Sequence, residues 1–172
     1  MDLYHDSAAA VTLKSVARLY SRTELLAQRA RWKQEGKTVV FTNGCYDLLH
    51  PGHVRLLEQA RSRGDILIVG VNTDAGVRRS KGPNRPLTPQ AERAELLLSL
   101  EAVDGVIFFD EETPRELIAG LLPDILVKGA DWSHFIAGRE EVEAAGGTVA
   151  AVALEPGYST TGIIEKILTY QP

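Results

Sequence analysis

A length of 172 residues, 44% of them hydrophobic and 24% charged, is that of one ordinary globular domain. Nineteen Lys and Arg against 23 Asp and Glu give a formal charge of −4, which argues against nucleic acid as the main partner. The one cysteine, Cys45, excludes an internal disulfide, and no Cys/His cluster has the spacing of a zinc site, so a reducing compartment fits best. The apolar stretches of the chain, such as 96–98 and 151–154, fall far short of the about 20 residues that span a bilayer. No basic segment leads into an apolar run at the N-terminus, and a cytoplasmic protein is expected.

Residues 1–20 carry no sustained period and read as a loosely ordered arm before a single domain over 21–172. Ser21 with Glu24 three positions on is a capping box, opening a helix with Leu25, Leu26 and Ala30 on one face and Gly36 as its stop. A short strand follows at 39–41, then Thr42-Asn43-Gly44 as a turn and a helix through Val54, Leu56, Leu57 and Ala60 to Gly64. Residues 66–71 are a continuous apolar strand of the kind buried on both faces, and Thr73-Asp74 begins a short helix. The basic run Arg78-Arg79-Ser80-Lys81-Gly82-Pro83-Asn84-Arg85-Pro86 is too rich in Gly and Pro for regular structure.

Thr88 and Pro89 start a helix bearing Leu96, Leu97, Leu98 and Leu100, and 106–109 is the third strand. Thr113-Pro114-Arg115-Glu116 supplies a cap, a first-turn proline and a capping-box glutamate for a helix to Leu121. Strands at 125–127 and 149–154 flank a helix at 139–145, and a last helix runs over 161–168. Five strands alternating with helices predict an α/β fold, a Rossmann-like three-layer α/β/α arrangement with a parallel sheet and right-handed crossovers. Ligands of such sheets sit beyond the carboxyl ends of the strands, which directs attention to the loops after the strands at 39, 125 and 149.

Residues 41–53, Phe-Thr-Asn-Gly-Cys-Tyr-Asp-Leu-Leu-His-Pro-Gly-His, join the first of these strands to its helix. Pro51 suits a first helical position, Gly52 removes bulk, and His50 and His53 can both face one anion at a helix N-terminus. A zinc pair is the rival reading, disfavoured by Pro51 and Gly52 and by the lack of a third ligand at helical spacing. No G-x-G-x-x-G and no G-x-x-x-x-G-K occurs, which weighs against a dinucleotide oxidoreductase and a P-loop enzyme.

Lys81 and Arg85, taken alone, read as a solvated basic loop, and Arg93, His5 and His134 as surface residues. In Lys128-Gly129-Ala130-Asp131-Trp132 the glycine permits close approach and the carboxylate can meet ribose hydroxyls or a base amine, with a plain strand-to-helix turn as the alternative. Trp132 is either a base-stacking platform or a half-buried loop aromatic. Ser159-Thr160-Thr161 opens the last helix and is otherwise an ordinary N-cap. Cys45 reads as a packed residue and Asp47 as a group that orients a histidine, helps place a magnesium ion or caps a helix.

His50-Pro51-Gly52-His53 resembles the His-x-Gly-His signature of nucleotidyltransferases that join a nucleoside monophosphate to a phosphorylated acceptor. The resemblance runs from Lys37 to Ile167 through Val71-Asn72-Thr73-Asp74, Lys81-Gly82, Arg85-Pro86, Leu126 to Asp131 and Ser159-Thr160-Thr161. Within that family the chain is similar to the heptose 1-phosphate adenylyltransferases, in many bacteria the C-terminal half of a bifunctional enzyme with a sugar kinase. A length of 172 residues leaves no room for the kinase half, so a stand-alone form with a separate heptose kinase upstream is expected.

The resemblance implies transfer of AMP from ATP to D-glycero-β-D-manno-heptose 1-phosphate, giving ADP-heptose and pyrophosphate for lipopolysaccharide synthesis. It implies Mg²⁺ bridged mainly by nucleotide phosphates, with no protein metal site, and a homodimer. By the same resemblance His50 and His53 donate to the α-phosphate and Lys81 holds the triphosphate; Gly82, Pro83 and Pro86 beside Lys81 point to a mobile loop that closes over the nucleotide. Thr42, Asn43, Gly44, Asp47, Gly52, Lys128, Gly129, Asp131, Ser159, Thr160 and Thr161 line the nucleotide, while Asn72 and Arg85 face the acceptor.

The sequence departs from the pattern in two places. Ala130 stands where many members have a second glycine. Glu155-Pro156-Gly157-Tyr158 replaces the Arg-Thr-x-Gly-Ile of related cytidylyltransferases, which removes an arginine and favours the heptose branch over glycerol-3-phosphate cytidylyltransferase. That cytidylyltransferase and a non-catalytic nucleotide sensor are the rival functions.

Overall fold

The apolar, β-branched segments of the chain build a parallel sheet, and the computed structural model describes residues 17–130, 136–153 and 155–170 of it and its surroundings. In chain order the elements are β1 (Arg18–Tyr20), α1 (Arg22–Gln34), β2 (Val39–Gly44), α2 (Pro51–Arg61), β3 (Ile66–Asn72), α3 (Asp74–Lys81) and α4 (Gln90–Leu98). They continue as β4 (Gly105–Phe109), α5 (Arg115–Leu121), β5 (Ile125–Gly129), α6 (Arg139–Ala144), β6 (Thr148–Val152) and α7 (Thr160–Leu168). The sheet order is β1-β4-β3-β2-β5-β6 and every pairing is parallel.

Four sequence expectations change. The sheet has six strands, not five, because Arg18–Tyr20, assigned to the loose arm, pairs with Gly105–Ile107 of β4. Thr42-Asn43-Gly44 is not a turn: it prolongs β2 opposite Val69, Gly70 and Val71 of β3. The basic run is helical as far as Lys81, and only from Gly82, at φ 96°, does the backbone leave the helix. The capping box at Ser21 and Glu24 forms, with both reciprocal hydrogen bonds present. The one expected at Thr113 does not, since Pro114 is the N-cap of α5 and no side chain caps it.

Alternate side chains of each strand enter different cores, as the pleat requires. Val39, Phe41, Ile68, Ile107 and Leu126 pack with Leu25 and Trp32 of α1, Leu117, Ile118 and Leu121 of α5 and Val142 of α6. Val40, Leu67, Val69, Val71, Val106 and Val127 pack with Leu57 and Ala60 of α2 and with Ala94 and Leu97 of α4. The result is three layers. Among the described residues no helix is long and apolar enough to cross a membrane.

Charges at the amino ends of the strands are spent on holding the layers together. Arg29 donates to Leu122 O and to Asp124 Oδ1, both at 2.9 Å, while Asp124 Oδ2 accepts from Val39 N at 2.7 Å. Asp104 accepts from Leu67 N at 2.8 Å and pairs with Arg61 at 2.9 Å. At the carboxyl ends the polar groups instead face a cavity.

Candidate active site

The strand order reverses beside β2: the chain steps outward through β3 and β4, then returns to place β5 on the other side. Such a reversal opens a crevice beyond the carboxyl ends of β2 and β5. The loop that leaves β2 passes through Tyr46 at φ 50°, a left-handed conformation that a bulky residue adopts only when its surroundings hold it there. Those surroundings are the core, for Tyr46 is only 6% exposed and its ring lies 5.1 Å from that of His53.

His50 is the N-cap of α2 and Pro51 its first residue. His50 Nδ1 accepts from His53 N at 3.3 Å, which leaves the proton of the neutral ring on Nε2 and makes that nitrogen a donor. The two imidazoles stack with centroids 3.7 Å apart and 16° between planes. Gly52 leaves room for this arrangement, since a Cβ there would crowd both His50 Nδ1 and Tyr158 Cβ at 3.1 Å. Burial, and then the neighbouring His50 ring, push the His53 imidazole down to about 4, and burial also lowers His50. Two stacked rings held neutral at pH 7 are donors without a formal charge, set at a helix N-terminus that itself favours anions.

The cavity above them has two lobes. One, of about 360 Å³, is lined by Thr42, His50, Gly52, Gly129, Glu155, Tyr158 and Ser159 among others. The second, of about 420 Å³, is lined by Asp47, Asn72, Arg85, Phe109, Glu112, Thr113 and Thr161 among others. Asn43, Gly44, Cys45, Tyr46, His53, Lys81, Lys128 and Thr160 border both, and so form the waist. At that waist Asn43 Oδ1 and His53 Nδ1 are buried without a hydrogen-bond partner, a costly state for a polar atom. Lys81 is exposed there at the end of α3.

Ser159 caps α7 by accepting from Gly162 N at 2.9 Å. The cap spends one first-turn donor, and Thr160 and Thr161 sit at the helix end with N–H groups that have no partner within the helix. Tyr158 precedes the cap, its ring 6.3 Å from that of His50 and near parallel to it. Arg55 lies over the Tyr158 ring at 5.5 Å and pairs with Glu155. The departure at 155–158 thus builds an aromatic wall for the first lobe in place of an arginine.

Asp47 does not contact a histidine. Its carboxylate is fully buried and accepts from Leu87 N at 2.7 Å, Thr88 N at 2.9 Å and the guanidinium of Arg85. Through this pair Arg85 ties the segment after α3 to the loop after β2, and it also lines the second lobe. Arg93, read from sequence as a surface residue, is 1% exposed. It donates to Thr88 O at 2.9 Å, Asn72 O at 2.9 Å and Cys45 O, and pairs with Asp74 Oδ1 at 2.7 Å. One guanidinium therefore joins the loops that follow β2 and β3 to the start of α4.

Cys45 Sγ donates to Asn72 Oδ1 at 3.7 Å, and burial pushes the thiol up, away from thiolate chemistry. Asp131, Trp132, His134 and His5 lie outside the described residues. Among the described residues no group of three or more His, Cys, Asp or Glu gathers to hold a metal ion.

A parallel α/β sheet that presents neutral imidazoles and an exposed lysine at a reversal of strand order, without a Gly-rich phosphate loop, is the arrangement of an α/β protein of the nucleotidyltransferase type. A family model described as Cytidylyltransferase-like matches residues 41–166, from β2 into α7, and the chain belongs to that family. It is 52% identical over 152 residues to the "Bifunctional protein HldE" of Azorhizobium caulinodans, covering 88% of this chain and 32% of the relative. The protein of the same description from Citrifermentans bemidjiense is 57% identical over 141 residues, with 81% and 29% covered. The chain therefore spans about a third of the length of these curated relatives. Among solved structures, the lipopolysaccharide core biosynthesis protein from Thermoplasma volcanium is similar at a TM-score of 0.57 and 29% identity, covering 70% of this chain and 98% of that one.

Proposed function

We propose that the chain transfers AMP from ATP to D-glycero-β-D-manno-heptose 1-phosphate, releasing pyrophosphate and giving ADP-heptose for lipopolysaccharide. The observation that carries this reading is the two-lobed cavity whose lobes meet at His53 and Lys81. A transferase for two phosphorylated substrates needs separate seats for each, with their phosphates brought together at one point. The likeness to the HldE proteins and to the lipopolysaccharide core biosynthesis protein supports a heptose phosphate as the acceptor.

The nucleotide takes the first lobe, where Tyr158 offers a stacking face and the N-terminus of α7 and the His50–His53 pair offer donors to phosphate. The sugar 1-phosphate takes the second. Its phosphate is already largely dianionic at pH 7, since the second pKa is about 6, so no general base is required. A phosphate oxygen of the acceptor bonds to the α-phosphorus, the bond from that phosphorus to the bridging oxygen breaks, and pyrophosphate leaves with the electron pair. His50 and His53 donate to the α-phosphate oxygens as their charge rises, and Lys81 neutralises the departing pyrophosphate.

Asp47 is spent on Arg85, Leu87 and Thr88 and offers nothing to a metal ion. Mg²⁺ is read as part of the ATP substrate, where it would screen the charge of the phosphates. The test is pyrophosphate release over a matrix of nucleoside triphosphates and sugar or polyol phosphates. Turnover should be greatest with ATP and heptose 1-phosphate; strong turnover with CTP and glycerol 3-phosphate, and none with the heptose pair, would overturn the assignment.

A further inference from the structure

The turn after β4 carries three acidic residues in succession, and only two of them are committed. Asp110 pairs with Arg79 at 3.1 Å and accepts from the hydroxyl of Thr73. Glu111 pairs with Arg22 and accepts from Asp110 N at 3.0 Å. Glu112 makes neither an ion pair nor a hydrogen bond among the described residues; it is exposed and lines the second lobe together with Thr113 and Asn72. The bonds of Asp110 and Glu111 hold the turn from one side, and the buried Pro114 at the N-cap of α5 holds it from the other. Glu112 is thus an uncommitted carboxylate presented by a pinned backbone.

We propose that Glu112 determines acceptor specificity by accepting hydrogen bonds from the hydroxyl groups of the sugar ring of a sugar 1-phosphate. The proposal rests on the reading of the second lobe as the acceptor seat. Hydroxyls are donors as well as acceptors, and one carboxylate can accept from two neighbouring hydroxyls at once. The same negative charge repels a phosphate. With Lys81 bordering the lobe and Glu112 in its wall, a sugar phosphate gains most with its phosphate towards the lysine and its hydroxyls towards the carboxylate. That polarity orients the nucleophilic oxygen towards the waist. It also favours a polyhydroxylated ring over a short polyol phosphate, which places fewer hydroxyls in reach.

The test is a calorimetric titration of heptose 1-phosphate into wild type, Glu112→Ala and Glu112→Gln, each saturated with the α,β-methylene analogue of ATP and Mg²⁺, in which the scissile bridge cannot break. Glu112→Ala should weaken heptose 1-phosphate binding by about tenfold or more, the scale of losing one charge-assisted hydrogen bond, and Glu112→Gln should weaken it less. Affinity for the ATP analogue and the melting temperature should stay at wild-type values, because Glu112 has no structural partner to lose. Equal acceptor affinity in wild type and Glu112→Ala would overturn the role of Glu112 while leaving the transfer reaction standing. Absence of heptose 1-phosphate binding to wild type itself would overturn both.

Discussion

His53 gathers several constraints in one ring. Burial and the stacked His50 hold it at about 4, whereas an unfolded chain leaves a histidine near its ordinary value of about 6.5. Between these values the unfolded state binds the extra proton and the folded state does not, so protons favour unfolding. Stability conferred by the neutral ring is present above about 6.5 and is lost as pH falls towards 4. The melting temperature of the wild type should therefore drop more between pH 7 and pH 5 than that of His53→Asn, which has no proton to gain. Parallel curves for the two proteins would contradict a neutral, buried His53. The same variant should lose about a hundredfold or more in kcat at pH 7, the scale of one preorganised donor, with a smaller change in ATP affinity.

The histidine pair was legible because Pro51 and Gly52 between the two residues fix both the helix start and the room for the rings. The partners of Asp47 were not legible, because they come from a segment some 40 residues away whose path no local pattern records.

Among elements, α4 shows how a charged residue misleads. Arg93 reads as solvent-exposed by type, yet it lies four residues before Leu97, so both project from one face of the helix, and both are buried. That spacing was the available signal. The guanidinium is fully buried and compensates the Asp74 carboxylate together with three backbone carbonyls. Replacing it by Met would leave those groups without their donor, and Arg93→Met should cost about 3–5 kcal/mol in chemical denaturation. A loss below about 1 kcal/mol, the worth of an exposed ion pair, would contradict a buried clamp.

Strand β1 was missed for a different reason. Three residues are too short to show a period, and Arg18–Tyr20 is extended because β4 offers an edge and Tyr20 a seat against Trp32, ring centroids 6.2 Å apart, and not because of its own pattern. The basic run, read from sequence as irregular throughout, is helical in its first four residues, which belong to α3, where Arg79 is held by Asp110. Only the stretch from Gly82 to Arg85 is left outside helical structure before the Asp47 anchor, and this narrows any closing movement near Lys81 to a few residues.

At the scale of the whole molecule, strand order supplies the functional geometry. With β2 flanked by β3 and β5, the loops after the central strands splay to opposite sides and leave two lobes with one waist. The alternation of apolar segments with helices made the parallel sheet legible. The position of the reversal was not, since it depends on which strand β5 joins, and that pairing is long-range.

In the proposed reaction the waist of the cavity brings an acceptor phosphate to the α-phosphorus of ATP. The most direct measurement is to follow separately labelled ATP with heptose 1-phosphate and Mg²⁺. Label in the α-phosphate should appear in the sugar nucleotide, and label in the γ-phosphate should appear in pyrophosphate. Transfer of the γ-label to the sugar, or release of either label that does not depend on the sugar phosphate, would contradict attack at the α-phosphorus.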